Sequence, residues 1–295
     1  MNGLAVIVPS HNDSNLDACV AAVKAHDPLD IIVIDDGLQR RYPLCTIPGI
    51  KPFVYARNIN LGIMRACNDD VILLNDDALL ETLGGFRALQ AQHHEHPEFG
   101  LIAAATDVTG AIGQFKRPGN ALRECRPMVT FSCVFIPRST ILRVGLLDER
   151  FGVNAGGIGP RGYGCEDDDY CWRARQAGLK LGVYDGCFVN HSTLPSTFRA
   201  DKEHPVNLQA HERLFAEKHG IGPRGLPRPV IVPMYPVCVR DISDLFQLRW
   251  SIVDLQEAGV PLASITVIDA GSPDVGWGAY ITELASAGVS IIKVG

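Results

Sequence analysis

The sequence predicts an α/β fold whose mostly parallel sheet is covered by helices on both faces. Three observations carry this. Short unbroken apolar runs recur at Leu4 to Val8, Ile31 to Ile34 and Val71 to Leu74. A stretch of helical period separates the first two. Each run then passes into polar or acidic residues: Ser10-His-Asn-Asp-Ser14, Asp35-Asp36-Gly37 and Asn75-Asp76-Asp77. Strands buried on both faces read as continuous apolar sequence, and helices between them make parallel pairing the economical topology. In open parallel sheets ligands sit at the carboxyl edge, so three strand ends delivering polar groups to one edge form a candidate site.

Taken in order, Leu4 to Val8 is the first strand, and Ser10 to Ser14 supplies turn and helix-capping chemistry. Leu16, Cys19, Val20 and Val23 follow at i, i+3, i+4 and i+7, one apolar helix face. Ile31 to Ile34 is the second strand, Phe53-Val-Tyr55 the third and Val71 to Leu74 the fourth. A helix from Leu80 to His94, strands at Leu101 to Ala105 and Thr130 to Ile136, a helix from Asp168 to Gly178 and a short strand, Phe188-Val-Asn-His191, complete this part.

From Pro229 the chain starts again. Pro229-Val-Ile-Val-Pro233 echoes Ala5-Val-Ile-Val-Pro9, Ile242 to Ala258 has a helical pattern, and Ile265-Thr-Val-Ile-Asp-Ala-Gly271 echoes Ile31-Ile-Val-Ile-Asp-Asp-Gly37. The expected organisation is one complete domain over 1–228, with 229–295 either the start of a second, truncated copy or a carboxy-terminal appendage. The second copy ends before any counterpart of Asn75-Asp76-Asp77, so it is not expected to be catalytic by itself.

Composition excludes several functions. A net charge of −6 disfavours a general phosphate-backbone binder, so no nucleic-acid partner is expected and any anionic ligand must be held locally. The nine cysteines are scattered without a Cys-x-x-Cys pair, which argues against a disulfide framework or zinc knuckle and for a reducing, cytoplasmic location. No apolar run approaches the ~20 residues of a bilayer span, so membrane contact would be peripheral. Gly157-Ile-Gly-Pro-Arg-Gly162, repeated at Gly220 to Gly225, has the spacing of a dinucleotide loop. Neither copy joins an apolar strand to a helix, and each proline removes a wanted amide, so both are discounted.

The chemistry-bearing residues fall into three groups. Asp76 and Asp77, at a strand end, suit a hard divalent cation that grips a diphosphate, and serve equally as a helix cap. Glu166-Asp-Asp-Asp169 opens a helix, where acids complement the dipole; crowded carboxylates also raise one another's pKa, and one held near a hydroxyl is a general base. His191 is either a metal ligand or a hydrogen-bonded structural histidine.

Seven segments in order resemble the family 2 glycosyltransferases, particularly bacterial rhamnosyl- and galactofuranosyltransferase-like members, over residues 4–197. They are Val6-Ile-Val-Pro-Ser-His-Asn12; Val33-Ile-Asp-Asp-Gly37; Asn58-Ile-Asn-Leu-Gly62; Ile72-Leu-Leu-Asn-Asp-Asp77; Val144-Gly-Leu-Leu-Asp-Glu-Arg-Phe151; Glu166-Asp-Asp-Asp-Tyr-Cys-Trp-Arg-Ala-Arg175; and Val189-Asn-His-Ser192. The resemblance implies a GT-A fold, the Rossmann-like nucleotide-diphospho-sugar transferase architecture. It implies that Pro9, Asp36 and Asn60 line the nucleotide pocket with Asp35 beside them, and that Asp76 approaches the ribose or phosphate. Asp77 and His191 would hold Mn²⁺ or Mg²⁺, Asp167 would deprotonate the acceptor hydroxyl, and Glu166 would orient that acceptor. The implied reaction inverts the anomeric centre of a nucleotide sugar, with UDP or dTDP favoured over GDP, and transfers it to a glycan or other hydroxyl acceptor, as in polysaccharide biosynthesis.

The sequence departs from the family at Cys165, where an aromatic residue is usual, and in a long glycine-rich stretch, Gly152 to Gly164, which reads either as a lid carrying Arg161 as a diphosphate contact or as a plain surface loop. Two other readings stand beside the transferase. A sugar-phosphate nucleotidyltransferase would use a similar acidic site, but Ser10 to Ser14 offers it no cation. A non-catalytic sugar-nucleotide-binding or scaffolding module is the other.

Overall fold

The computed structural model describes residues 2–152, 164–196, 204–220, 222–223, 234–237, 265–269, 277–286 and 289–293. The chain forms two compact units, Met1–Gly225 and Leu226–Gly295.

In the first unit the chain runs β1 (Leu4–Ser10), α1 (Asp13–His26), β2 (Asp30–Asp35), β3 (Cys45–Pro48), α2 (Tyr55–Arg65), β4 (Asp70–Leu74), β5 (Leu79–Leu80) and α3 (Gly85–Glu95). It continues with β6 (Phe99–Thr106), β7 (Leu122–Glu124), β8 (Cys133–Ile136), α4 (Arg138–Val144), α5 (Glu166–Gln176), β9 (Lys180–Asn190) and α6 (His204–His219). The sheet order is β3-β2-β1-β4-β8-β6-β9-β5, with β7 added against β9. Strands β3, β2, β1 and β4 are parallel neighbours; β8 runs antiparallel to both β4 and β6, and β6 pairs β9 in parallel. This is the α/β sheet with helices on both faces expected from the sequence, parallel on its first half and mixed on its second.

Alternation along β1 shows how the sheet is covered twice. Ala5 and Ile7 face a core with Ile59 and Ile63 of α2 and Tyr170 and Ala174 of α5; Val6 and Val8 face a second core with Leu16, Val20 and Val23 of α1 and Phe86 and Leu89 of α3. The apolar stripe read from α1 is buried as expected, and Asn12 caps that helix by accepting the N–H groups of Ser14 at 3.0 Å and Asn15 at 3.2 Å. Helix α2 comes so close to β1 that a Cβ at Gly62 would stand 2.4 Å from Ile7 Cγ2.

The third strand is not where the apolar triplet placed it. Cys45–Pro48 forms that edge strand, while Val54 caps α2 and Tyr55 begins it. Tyr55, Ile59 and Ile63 lie at i, i+4 and i+8, a helical period that three apolar residues in a row disguised. Helix α6, which no sequence pattern announced, closes the unit. The glycine-rich residues 153–163, Arg161 among them, lie outside the described residues.

In the second unit β10 (Met234–Val237), β11 (Thr266–Asp269) and β12 (Ser290–Lys293) form a parallel sheet in that order, with α7 (Trp277–Ser286) between the last two in sequence. Asp269 pairs with Val237 on one side and Lys293 on the other, as Asp35 pairs with Ser10 and Pro48. By this register Pro236, rather than Pro233, occupies the place of Pro9. The expected strand at 229–233 and helix at 242–258 lie outside the described residues.

Candidate functional site

The carboxyl ends of β1, β2 and β4 bring the first group together. Ser10 donates its hydroxyl to Asp76 Oδ2 at 2.6 Å, and its carbonyl accepts the Asp36 N–H at 2.8 Å. Burial raises the Asp76 carboxyl to about 6, with the Asp77 charge adding and the Ser10 hydrogen bond opposing. Asp36 is ion-paired with Lys51 Nζ at 2.7 Å. Pro9 is buried in β1 opposite Ile34 and offers only its ring and carbonyl.

Two residues of this group have other work. Asp35 Oδ1 accepts the N–H groups of Gly37 and Leu38, both at 2.8 Å, closing the turn that presents Asp36. Asn60, expected in the nucleotide pocket, lies in α2 with its amide spent on the segment after α4. Its Nδ2 donates to Leu147 O at 2.9 Å and Glu149 Oε1 at 3.1 Å, and its Oδ1 accepts the Leu147 N–H at 3.0 Å. Helix period puts Asn60 on the face that packs beneath this segment, and a saturated, 1% exposed amide holds scaffold rather than ligand.

The second group joins β4 to the end of β9. His191 Nε2 lies 3.1 Å from Asp77 Oδ1, and its Nδ1 lies 3.0 Å from the carbonyl of Val108. A carbonyl only accepts, so Nδ1 carries the proton. Nε2 then turns a bare lone pair toward a carboxylate unless the ring takes a second proton or a cation lies between them. A neutral histidine whose Nδ1–H is fixed by a backbone carbonyl is the usual form of a metal-ligating imidazole. Two ligands on adjacent corners of an octahedral ion at ~2.1 Å stand about 3.0 Å apart, so the pair fits Mg²⁺ or Mn²⁺. Among the described residues no group of three or more His, Cys, Asp or Glu gathers as metal ligands.

Asp107, which sequence reasoning missed, fixes this histidine. Its Oδ1 accepts the His191 N–H at 2.8 Å and its Oδ2 the Ser192 hydroxyl at 2.6 Å. Partial burial opposes its ionisation, but these hydrogen bonds outweigh it and hold the carboxyl below its ordinary value. The signal was present: Asp107 follows an apolar strand as Asp35 and Asp76 do.

The third group opens α5. Glu166, Asp168 and Asp169 are buried, and Asp167 is the more open of the four. Burial first, then the Asp167 charge, pushes Glu166 up to about 8, against the N–H of Gly164 that it accepts. Cys165, the helix cap, is held at φ 61°, an uncommon backbone for a side chain with a Cβ. The buried Tyr55 phenol feels both this group and Asp77. It donates to Phe131 O at 3.3 Å, and its pKa is raised well above the ordinary value by burial and then by the charges of Glu166, Asp167 and Asp77. All three carboxylates thus lie within electrostatic reach of one phenol.

Among the described residues no helix is long and apolar enough to cross a membrane. No protein-family model and no curated protein matches the chain. Solved structures to which it is similar include S. aureus TarS, at 11% identity and a TM-score of 0.48, covering 75% of this chain and 44% of that one. S. aureus TarS 1–349 in complex with UDP is similar at 12% identity and a TM-score of 0.46, covering 64% of this chain and 60% of that one. A197 from STIV is similar at 11% identity and a TM-score of 0.40, covering 63% and 84%. The chain therefore spans less than two thirds of either TarS chain.

Proposed function

We propose that residues 1–228 are a divalent-metal-dependent, inverting glycosyltransferase domain resembling family 2, which moves a sugar from UDP or dTDP to a hydroxyl of a glycan. The observation that carries this is the meeting of Asp77 and His191, tautomer fixed, with the Glu166–Asp167 pair within electrostatic reach of the same buried phenol as Asp77. It supplies, on one sheet edge, what glycosyl transfer from a nucleoside diphosphate requires.

In this reading Pro9 walls the nucleotide pocket, Asp36 accepts a hydrogen bond from the base, and Asp76 faces the ribose or phosphate. Asp77 and His191 would hold Mn²⁺ or Mg²⁺, which would supply positive charge for the departing diphosphate. Asp167, open to the edge, takes the proton of the acceptor hydroxyl as that oxygen attacks the anomeric carbon, a single displacement that inverts it. Glu166, protonated at neutral pH with its pKa near 8, donates a hydrogen bond that orients the acceptor. The shared register of β1-β2-β3 and β10-β11-β12 supports reading 229–295 as part of a second unit of the same kind.

The test is thermal stabilisation by UDP, dTDP and GDP, each with and without Mn²⁺, on the wild type and on Asp77→Ala. A ligand bound only by the native state raises Tm as its concentration passes Kd. Stabilisation by a pyrimidine diphosphate that needs metal and is lost in Asp77→Ala is the expected result. No shift with any nucleotide sinks the reading.

A further inference from the structure

The turn that carries the acid pair is braced by a helix that the active-site motifs do not include. Asp169 is fully buried, and its Oδ1 meets Lys218 Nζ at 2.6 Å and His219 Nε2 at 2.7 Å while Oδ2 meets Arg173 Nε at 2.8 Å. Lys218 also reaches Asp148 Oδ2 at 2.7 Å, so one ammonium joins the start of α5 to the segment that leads into it. Further back along α6, His211 Nε2 accepts the Gly152 N–H at 3.0 Å, and a Cβ at Gly164, where φ is +144°, would lie 2.7 Å from His211 Nδ1. Phe215 packs with Phe151 and Cys165 in a small buried cluster of its own. Residues on both sides of the acid pair therefore rest on α6.

We infer that α6 is a positioning element for Glu166 and Asp167, with Lys218 and His219 as the positioning residues. The inference rests on the glycosyltransferase reading. Successive helix residues are about 100° apart, so a small rotation of the first turn re-aims Asp167, and a buried carboxylate two residues on, clamped by the Lys218 ammonium and the His219 imidazole of α6, removes that freedom. Arg173 supplements the clamp from within α5, donating to the carbonyls of Val144 at 2.8 Å and Leu146 at 2.9 Å. Leaving Asp169 with fewer cations would also strand a buried charge. The nucleotide and metal groups hang instead from β1, β2, β4 and β9, so loosening α6 should damage the chemical step and spare donor binding.

The full-length Lys218→Met and Lys218→Arg variants test this, with UDP and Mn²⁺ as the binding probe and UDP-glucose, UDP-galactose and dTDP-rhamnose as donors. In Lys218→Met the Kd for UDP with Mn²⁺ and the donor KM stay within twofold, nucleotide release falls at least tenfold in kcat, and Lys218→Arg restores most of it. Amide hydrogen exchange across residues 166–170, which needs no donor, speeds at least tenfold in Lys218→Met. Unchanged exchange, or faster exchange with unchanged kcat, overturns the positioning role. A wild type that neither binds UDP nor releases nucleotide from any donor overturns the glycosyltransferase reading instead, and the exchange comparison still reports whether α6 holds the turn.

Discussion

Two adjacent acid pairs face the same edge of one sheet and are held there in opposite ways. Asp76 and Asp77 end a strand, and what fixes them is sheet: Ser10 at the end of β1 and His191 just past β9. Glu166 and Asp167 begin a helix, and what fixes them is a separate helix near the end of the unit, through Asp169, Lys218 and His219. Burial raises one member of each pair, Asp76 to about 6 and Glu166 to about 8. The contrast teaches that a strand-end acid inherits its position from the hydrogen-bond ladder, whereas a helix-start acid depends on side-chain packing to set the rotation of its helix.

The sharpest way to break this comparison is to remove one acid from each side. Asp77→Ala should erase the whole metal-dependent stabilisation, about 2.7 kcal/mol at a hundredfold excess of nucleotide over Kd, so that thermal shift shows no rise in Tm. Asp167→Asn should lower kcat by ~10²–10⁴ while leaving the nucleotide and Mn²⁺ shift intact, the magnitude expected of a lost general base. If both variants lose nucleotide binding, the two pairs are one site without division of labour.

A smaller effect is expected at the hydrogen bond behind the metal pair. Asp107→Ala frees the His191 backbone and should weaken Mn²⁺ affinity by ~10–100-fold, read from the metal dependence of UDP stabilisation. The smallest effect concerns pH. Glu166 binds its proton more tightly when folded, near 8, than at its ordinary 4.5. Its contribution to stability is therefore complete below about 4.5 and is lost as pH rises through about 8. Between pH 5 and 9 the Tm of the wild type should fall relative to that of Glu166→Gln by at least ~2–4 °C, the shift that 1 kcal/mol produces in a domain of this size. A constant difference would mean that Glu166 is not a buried, protonated carboxyl.

The same contrast explains what could be read in advance. The ends of β1, β2 and β4 were legible because an unbroken apolar run stops where the chain leaves the core, and Asp36, Asp76 and Asp77 stand at those stops. Asp35 was legible as a neighbour but not as the acceptor that closes the turn. The partners of Asn60 were not legible, because a motif names a residue without saying which helix face it occupies, and its amide faces Leu147 and Glu149. The triplet Phe53-Val-Tyr55 reads as strand, which hides the phenol that feels three site carboxylates. In the repeat, the sequence echo sets Pro233 against Pro9, but the strand register puts Pro236 there.

By itself the sequence determined the layered α/β architecture and the order in which acids reach its edge, because burial on two faces and the exit from the core are written in local periodicity. Only the tertiary structure decided that His191 meets Asp77 across 114 residues with its proton fixed on Nδ1 by Val108, and that Lys218 reaches back to Asp148 and Asp169. Contacts of that range depend on which strands become neighbours and how each helix is rotated, and those are properties of the packed whole, not of any segment.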